Sequence, residues 1–315
     1  MSTFRGVVLE FPEIRSKFCS HLAGSTRLMI FKVDFFRPIV GRRAPRACFL
    51  SHVHSDHLAG LENQIFHGNL YAPFPCVESS RLIRHSLYCS PATREILLRL
   101  EKYPARVDFH RGISQAHKAT YKHLKDRLVR KFLPNVFYPR LLHLQKTIPL
   151  ETPTCIELEP GNEIQVTLFD ANHCTGAVMF CKLFSRCSMP SSLTASIVIE
   201  GNDKAILYTG DIRSEPWFIN NFTRNPFLIE YTSGMKKLDC IYLDTSNTQP
   251  IPFPTKADGL KELLQKVSRY PADTVFHFAA WTFGYEEVWM ALSRTLKSQV
   301  SSRPSFYLNS INTDP

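Results

Sequence analysis

One stretch, His52-Val53-His54-Ser55-Asp56-His57, constrains this chain more than any other. It sets four metal-capable side chains in the order His-x-His-x-Asp-His directly after the apolar run Ala47-Cys48-Phe49-Leu50. That run is short, follows Pro45 and ends in polar residues, so it reads as a buried strand. The histidines and the aspartate then fall on the loop leaving the strand, ahead of a helix suggested by Leu58-Ala59-Gly60-Leu61-Glu62. In an extended entry His52 and His54 point the same way, because side chains alternate with a period of two. Asp56 and His57 fall where the chain turns and can face a second point nearby. Imidazole and carboxylate suit zinc and similar divalent ions, and the set holds no thiolate that would close a structural cysteine site. Two neighbouring ions could clamp the attacking and leaving oxygens of a displacement and activate water near neutral pH. The bland alternative is a polar loop with surface histidines. Four metal-capable side chains at this spacing behind a buried strand argue against it.

Other apolar runs end in the same way. Ile164-Gln165-Val166-Thr167-Leu168-Phe169-Asp170 alternates as a strand and leads into Ala171-Asn172-His173. His173 can therefore supply a third imidazole, although a lone histidine after a strand is more often structural. Lys204-Ala205-Ile206-Leu207-Tyr208-Thr209-Gly210-Asp211 ends in an acid placed to bridge two metals by its two oxygens, with ordinary Gly-Asp turn chemistry as the alternative. Cys240-Ile241-Tyr242-Leu243-Asp244-Thr245 follows the same rule, and Asp244 is a candidate for supporting the site or handling a proton. Upstream, Asp34 lies in the apolar segment Val33-Asp34-Phe35-Phe36, where an unpaired carboxylate is costly. It either orients the metal loop through hydrogen bonds or caps a surface turn. Strands that each end in His or Asp imply one sheet edge carrying the chemistry.

The partner class follows from charge. The chain has a formal net charge of +10, which favours a polyanion such as nucleic acid over a small neutral substrate. Between Arg81 and Lys146, fifteen Lys and Arg stand against four Asp and Glu in a helical pattern. There Ser90 and Pro91 open a helix with leucines inward and arginines outward, and Tyr121 to Leu128 continues the same character. Singly these arginines read as a solvated face; as a group beside a hydrolytic centre they read as a phosphate-facing surface. Further helices are expected from Pro254 through Val267 and from Gly284 onward, with a strand at Thr274–Phe278 whose His277 is a core residue. Nine cysteines without paired spacing fit a reducing compartment. No apolar run is long enough to span a membrane, and the N-terminus lacks the pattern of a secretion signal. Ser16 to Lys32, Lys182 to Ser196 and the stretch after Ser301 carry no regular period, and read as two insertions and a tail.

With Phe11-Pro12-Glu13-Ile14, Tyr88-Cys89-Ser90, Glu151-Thr152-Pro153-Thr154, His173-Cys174-Thr175-Gly176, Thr209-Gly210-Asp211-Ile212-Arg213 and Leu243-Asp244-Thr245, the chain resembles the metallo-β-lactamase superfamily. Within it, the chain resembles the β-CASP DNA-repair nucleases of the Artemis-like branch over most of its length. The resemblance implies an α/β, four-layer αββα metallo-β-lactamase fold over residues 1–245, with insertions near 16–32 and 182–196. It also implies the start of a β-CASP insertion over 246–300 and an irregular tail over 301–315. His52, His54 and His173 would hold one metal, Asp56 and His57 the second, and Asp211 would bridge. Asp34, Asp56 and Asp244 are the catalytic carboxylates it implies. Two divalent ions are expected, zinc first and magnesium as the alternative. The implied function is hydrolysis of DNA phosphodiesters at ends, hairpins or overhangs, in double-strand break or cross-link repair in the nucleus. A monomer acting on DNA beside end-joining or repair proteins is expected. The family's later β-CASP histidine motifs have no counterpart before Pro315, which keeps a non-catalytic DNA-binding or scaffold fragment as the rival reading. Thioester or lactam hydrolysis is disfavoured by the basic region, and RNA processing by the start Met1-Ser2-Thr3-Phe4-Arg5-Gly6, which resembles the Artemis-like branch.

Overall fold

A computed structural model describes residues 31–37, 47–62, 86–125, 145–159, 162–183, 205–247, 249, 251–280 and 283–301. They divide into two compact units, one within Met1–Leu97 and His123–Thr248, the other within Leu98–Lys122 and Gln249–Pro315.

The first unit is built on two sheets. In one, β1 (Phe31–Val33), β2 (Ala47–Phe49), β3 (Ser86–Cys89) and β4 (Gln145–Thr147) lie side by side in chain order, all parallel. In the other, β5 (Thr154–Glu159), β6 (Asn162–Asp170), β7 (Val178–Leu183), β8 (Ala205–Tyr208) and β9 (Cys240–Tyr242) follow in order, antiparallel until the parallel β8–β9 pair. Period-two alternation explains how the second sheet is covered. Val166 and Leu168 face one way, joining Val33, Phe49, Tyr88, Phe180 and Tyr208 in a core shared by both sheets. Phe169 faces the other way and packs with Met179, Leu207 and Phe218, the last from helix α3 (Pro216–Thr223). Phe218 stacks on Phe222 and Phe222 meets Phe169 edge-on, so the helix is seated by aromatic contacts.

Helix α1 (Pro91–Arg99) starts as its sequence requires. Ser90 caps it by accepting the Thr93 amide at 3.1 Å, Leu97 is fully buried and Arg99 is exposed. The expected helix at Leu58–Glu62 is replaced by turns, because Gly60 takes a φ of +96°. A Cβ there would lie 2.3 Å from the Arg37 amide nitrogen and 2.5 Å from the Phe36 carbonyl carbon. That overlap and the left-handed backbone together predict that Gly60→Ala destabilises the fold by more than about 2 kcal/mol, read from urea midpoints. An unchanged midpoint would show that this approach does not hold the loop.

In the second unit, α2 (Tyr103–His110) and its flanking caps present Lys102, Arg106 and Arg111 as exposed residues, and α4 (Lys256–Val267) packs on α5 (Glu286–Leu296). Thr255 caps α4 by accepting the Asp258 amide. Thr274–Phe278 is not a strand and His277 is exposed, contrary to the expected core position. Its phenylalanines turn to Tyr270 and Trp289 instead of to a neighbouring strand. Of Tyr121–Leu128 only a single turn at Lys122–Leu124 is described. Phe31–Lys32 and Lys182–Leu183, placed in insertions by the sequence, belong to β1 and β7; the rest of those segments and the tail lie outside the described residues. Among the described residues no helix is long and apolar enough to cross a membrane.

Candidate metal centre

The loop leaving β2 is held from below by one carboxylate. Asp34, at the exit of β1 with a φ of 53°, is buried and accepts the Ser51 amide at 2.7 Å and the Ser51 hydroxyl at 2.6 Å. The left-handed region is one that aspartate tolerates better than most residues. The Tyr208 hydroxyl, from β8 in the other sheet, donates to the same carboxylate at 2.9 Å. Ser51 Oγ also lies 2.8 Å from His52 Nδ1. Because the single hydroxyl hydrogen goes to Asp34, His52 Nδ1 must carry a hydrogen of its own, which leaves Nε2 as a bare lone pair.

That nitrogen looks into a hollow formed by four imidazoles. The His52 ring centroid lies 4.5 Å from that of His54, 4.1 Å from His57 and 5.0 Å from His173. His54 Nδ1 and His173 Nε2 are 3.2 Å apart. A turn closed by the His57 amide on the His54 carbonyl returns His57 beside His52. The His173 loop is anchored from α1, where the Ser90 and Thr93 hydroxyls donate to the Gly176 carbonyl at 2.9 and 2.8 Å. Gly176 has a φ of +83°, and a Cβ there would lie 2.9 Å from the Thr93 amide nitrogen.

Asp211 faces the hollow at the exit of β8. Its Oδ2 lies 3.6 Å from both His52 Nε2 and His173 Nε2, and its Oδ1 lies 3.2 Å from His57 Nε2. Asp56 is exposed, 3.7 Å from His57 Nε2. Asp244 stands apart from the rings. It accepts the Ile212 amide at 3.3 Å and the Ser246 amide and hydroxyl at 2.9 and 2.6 Å, and so braces the chain just after Asp211. Asp34 likewise supports the rings from behind.

Among the described residues, His52 Nε2 and His57 Nδ1 are buried nitrogens without a hydrogen bond. His57 Nδ1 lies 3.0 Å from Asp34 Oδ2 but off the line a hydrogen bond needs, so that contact is an ion pair. Burial, then the neighbouring His57 charge, pushes His52 down to about 3, so it stays a neutral donor. Burial also opposes a charge on His57, but Asp34 and then Asp211 outweigh it and raise the ring to about 10. Burial works against ionising Asp211 too, yet its hydrogen bond with His57 holds the carboxyl down to about 2. A cationic ring between two carboxylates marks a place built for positive charge. Two donor sets, each with all atoms within 4.8 Å, satisfy what a divalent ion needs: His52, His54, His173 and Cys174, and His52, His57 and Asp211. Cys174, Ser51 and Tyr208 join the site only through the fold. Cys174 carried a usable signal, standing next to His173.

Imidazoles and a carboxylate gathered at strand exits of two packed sheets define a candidate metal-dependent hydrolase. The chain is 28% identical over 267 residues to human (Homo sapiens) Protein artemis, covering 81% of this chain and 29% of that protein. Against Protein artemis of Mus musculus it is 28% identical over 311 residues, covering 95% and 32%. Against 5′ exonuclease Apollo of Gallus gallus it is 28% identical over 276 residues, covering 87% and 41%. The likeness to the Artemis-like branch thus extends over most of the chain, which spans about a third of the length of these relatives. No protein-family model matches.

Proposed function

We propose that this chain is a metal-dependent nuclease that hydrolyses DNA phosphodiesters at ends, hairpins or overhangs. The observation that carries the reading is Asp211, whose two oxygens face the His52–His173 pair on one side and His57 on the other. One carboxylate between two donor sets is the arrangement that two neighbouring cations require. In this reading His52, His54 and His173 hold the first ion, Asp56 and His57 the second, and Asp211 bridges them. Zinc is favoured over magnesium by the nitrogen-rich donor set. When bound, such ions supply activation of water and neutralisation of phosphoryl charge.

The chain's own residues do the rest. Asp34 and Ser51 fix the His52 tautomer and aim. Asp244 braces the segment after Asp211 and is the carboxylate we assign to positioning. Exposed Lys102, Arg106 and Arg111, with the net charge of +10, suit a phosphate backbone. A relative named a 5′ exonuclease supports nuclease chemistry. The fold proposed for residues 1–245 is the four-layer αββα arrangement, followed by a β-CASP insertion from about residue 246. Action as a monomer in the nucleus, in break or cross-link repair alongside repair proteins, accompanies the family reading.

The test compares cleavage of hairpin and overhang DNA by the chain and by His54→Ala. Loss of a residue that merely supports a metal ligand costs ~10–100-fold, and loss of a ligand is expected to exceed that range. Equal cleavage by both removes the metal assignment, whereas salt-dependent binding without cleavage by either supports the scaffold reading.

A further inference from the structure

Glu215 opens α3 with its carboxylate buried, yet it makes no capping hydrogen bond. Its oxygens go to side chains instead: Oε1 accepts Arg213 Nε at 2.7 Å and Oε2 accepts the Trp217 indole N–H at 2.5 Å. The indole is thereby fixed at its nitrogen edge while 53% of the residue stays in solvent. Asn221 and Arg224 follow Trp217 at the i+4 and i+7 positions and are exposed as well, whereas Phe218 and Phe222 turn inward. We propose that this outer face of α3 holds the unpaired strand at a DNA end, with one base stacked on Trp217 and the backbone following the helix to Arg224.

This rests on the nuclease reading above and names the part of the substrate that the face recognises. An exposed apolar residue by itself needs no explanation. An indole tied to a buried carboxylate is different, because it has little rotamer freedom left to lose when a base settles on it. The groups that follow it on the same face are an amide and a guanidinium, which suit a polar, anionic strand. Aromatic platforms with neighbouring cations are how single strands are held without regard to sequence, since every unpaired base offers a π-face. The face is also placed to receive such a strand. The Arg213 amide donates to the Ala171 carbonyl at 3.1 Å, and the Asn172 side chain donates to the Arg213 carbonyl at 3.0 Å. The stretch from Asp211 to Glu215 is therefore tied to the His173 loop. Trp217 follows Asp211 by six residues, at most about 22 Å of extended chain. A short unpaired end entering the hollow can reach the indole, and Arg213, on the same carboxylate, brings a cation beside it.

Binding measured by fluorescence anisotropy, with a chelator present so that nothing is cut, tests this apart from catalysis. The probes are two duplexes with overhangs of equal length and charge, one of thymidines and one of abasic sites. The unmodified chain should bind the thymidine overhang roughly 5- to 150-fold more tightly, the range that stacking of one base on an aromatic side chain supplies. Trp217→Ala should erase that preference, and Trp217→Phe, which keeps a ring but gives up the bond to Glu215, should retain part of it. Arg224→Gln should reduce the slope of log affinity against log salt by about 0.7. Equal binding of the two overhangs by the unmodified chain, or a preference that survives in Trp217→Ala, overturns the stacking and leaves the nuclease reading standing. An unchanged salt slope overturns the path along α3. Binding of neither duplex by the unmodified chain overturns both readings.

Discussion

An Asp211→Asn chain will keep its fold and lose at least about a hundredfold in DNA cleavage, together with most of its second metal equivalent. Asparagine matches the shape of aspartate, so packing survives; the side chain is about a third exposed (32%), and no tight core depends on it. What disappears is the charge between the two donor sets. One neutral amide oxygen cannot serve both His57, 3.2 Å away, and the His52–His173 pair at 3.6 Å. Metal analysis of the purified variant, circular dichroism and a cleavage assay read the three parts separately. A variant holding two ions would show that Asp211 does not join them.

Asp34→Ala should act on the fold as much as on the site, costing about 3–5 kcal/mol. The substitution removes the acceptor of the Ser51 amide, the Ser51 hydroxyl and the Tyr208 hydroxyl, all buried, and strands the His57 charge without its nearest partner. Urea unfolding of the metal-free chain measures the loss, and a change below about 1 kcal/mol would mean water takes the carboxylate's place. The pair also gives a pH signature. Burial disfavours both charges, but Asp34 and His57 outweigh it for each other, holding the carboxyl below 3.8 and raising the ring from 6.5 to about 10. The Asp34 contribution is present above 3.8 and lost as pH falls through its lowered value. The His57 contribution is complete below 6.5 and lost as pH rises through about 10. The unmodified metal-free chain should therefore weaken between pH 6.5 and about 10, and Asp34→Ala should weaken less over that range, because only Asp211 then still raises His57.

What the sequence could say about this centre was set by how local each signal is. His52, His54 and His57 sit within one turn of a strand exit, and His173 and Asp211 each follow a strand with clear alternation, so their convergence could be expected from pattern alone. Asp34 could be read either as a surface cap or as a brace, because its partners Ser51 and Tyr208 lie 17 and 174 residues away. The Cys174 thiol is only partly legible: it stands next to His173 in the chain, but its place near the ring nitrogens depends on Ser90 and Thr93, which clamp the loop from another element. Leu58–Glu62 has helix-forming residues, but the contact between Gly60 and the Arg37 backbone decides its path. At Thr274–Phe278 a β-rich composition finds aromatic neighbours and no strand, so propensity is overridden by tertiary contacts.

Asp34 touches the strand exit of one sheet through Ser51 and the end of a strand in the other through Tyr208. A rivet of that kind fixes the geometry of the hollow before any ion arrives. Cation uptake then spends little of its free energy on ordering the polypeptide. Chelators should strip such a protein without melting it, and the emptied scaffold should reload at once on return of the ion.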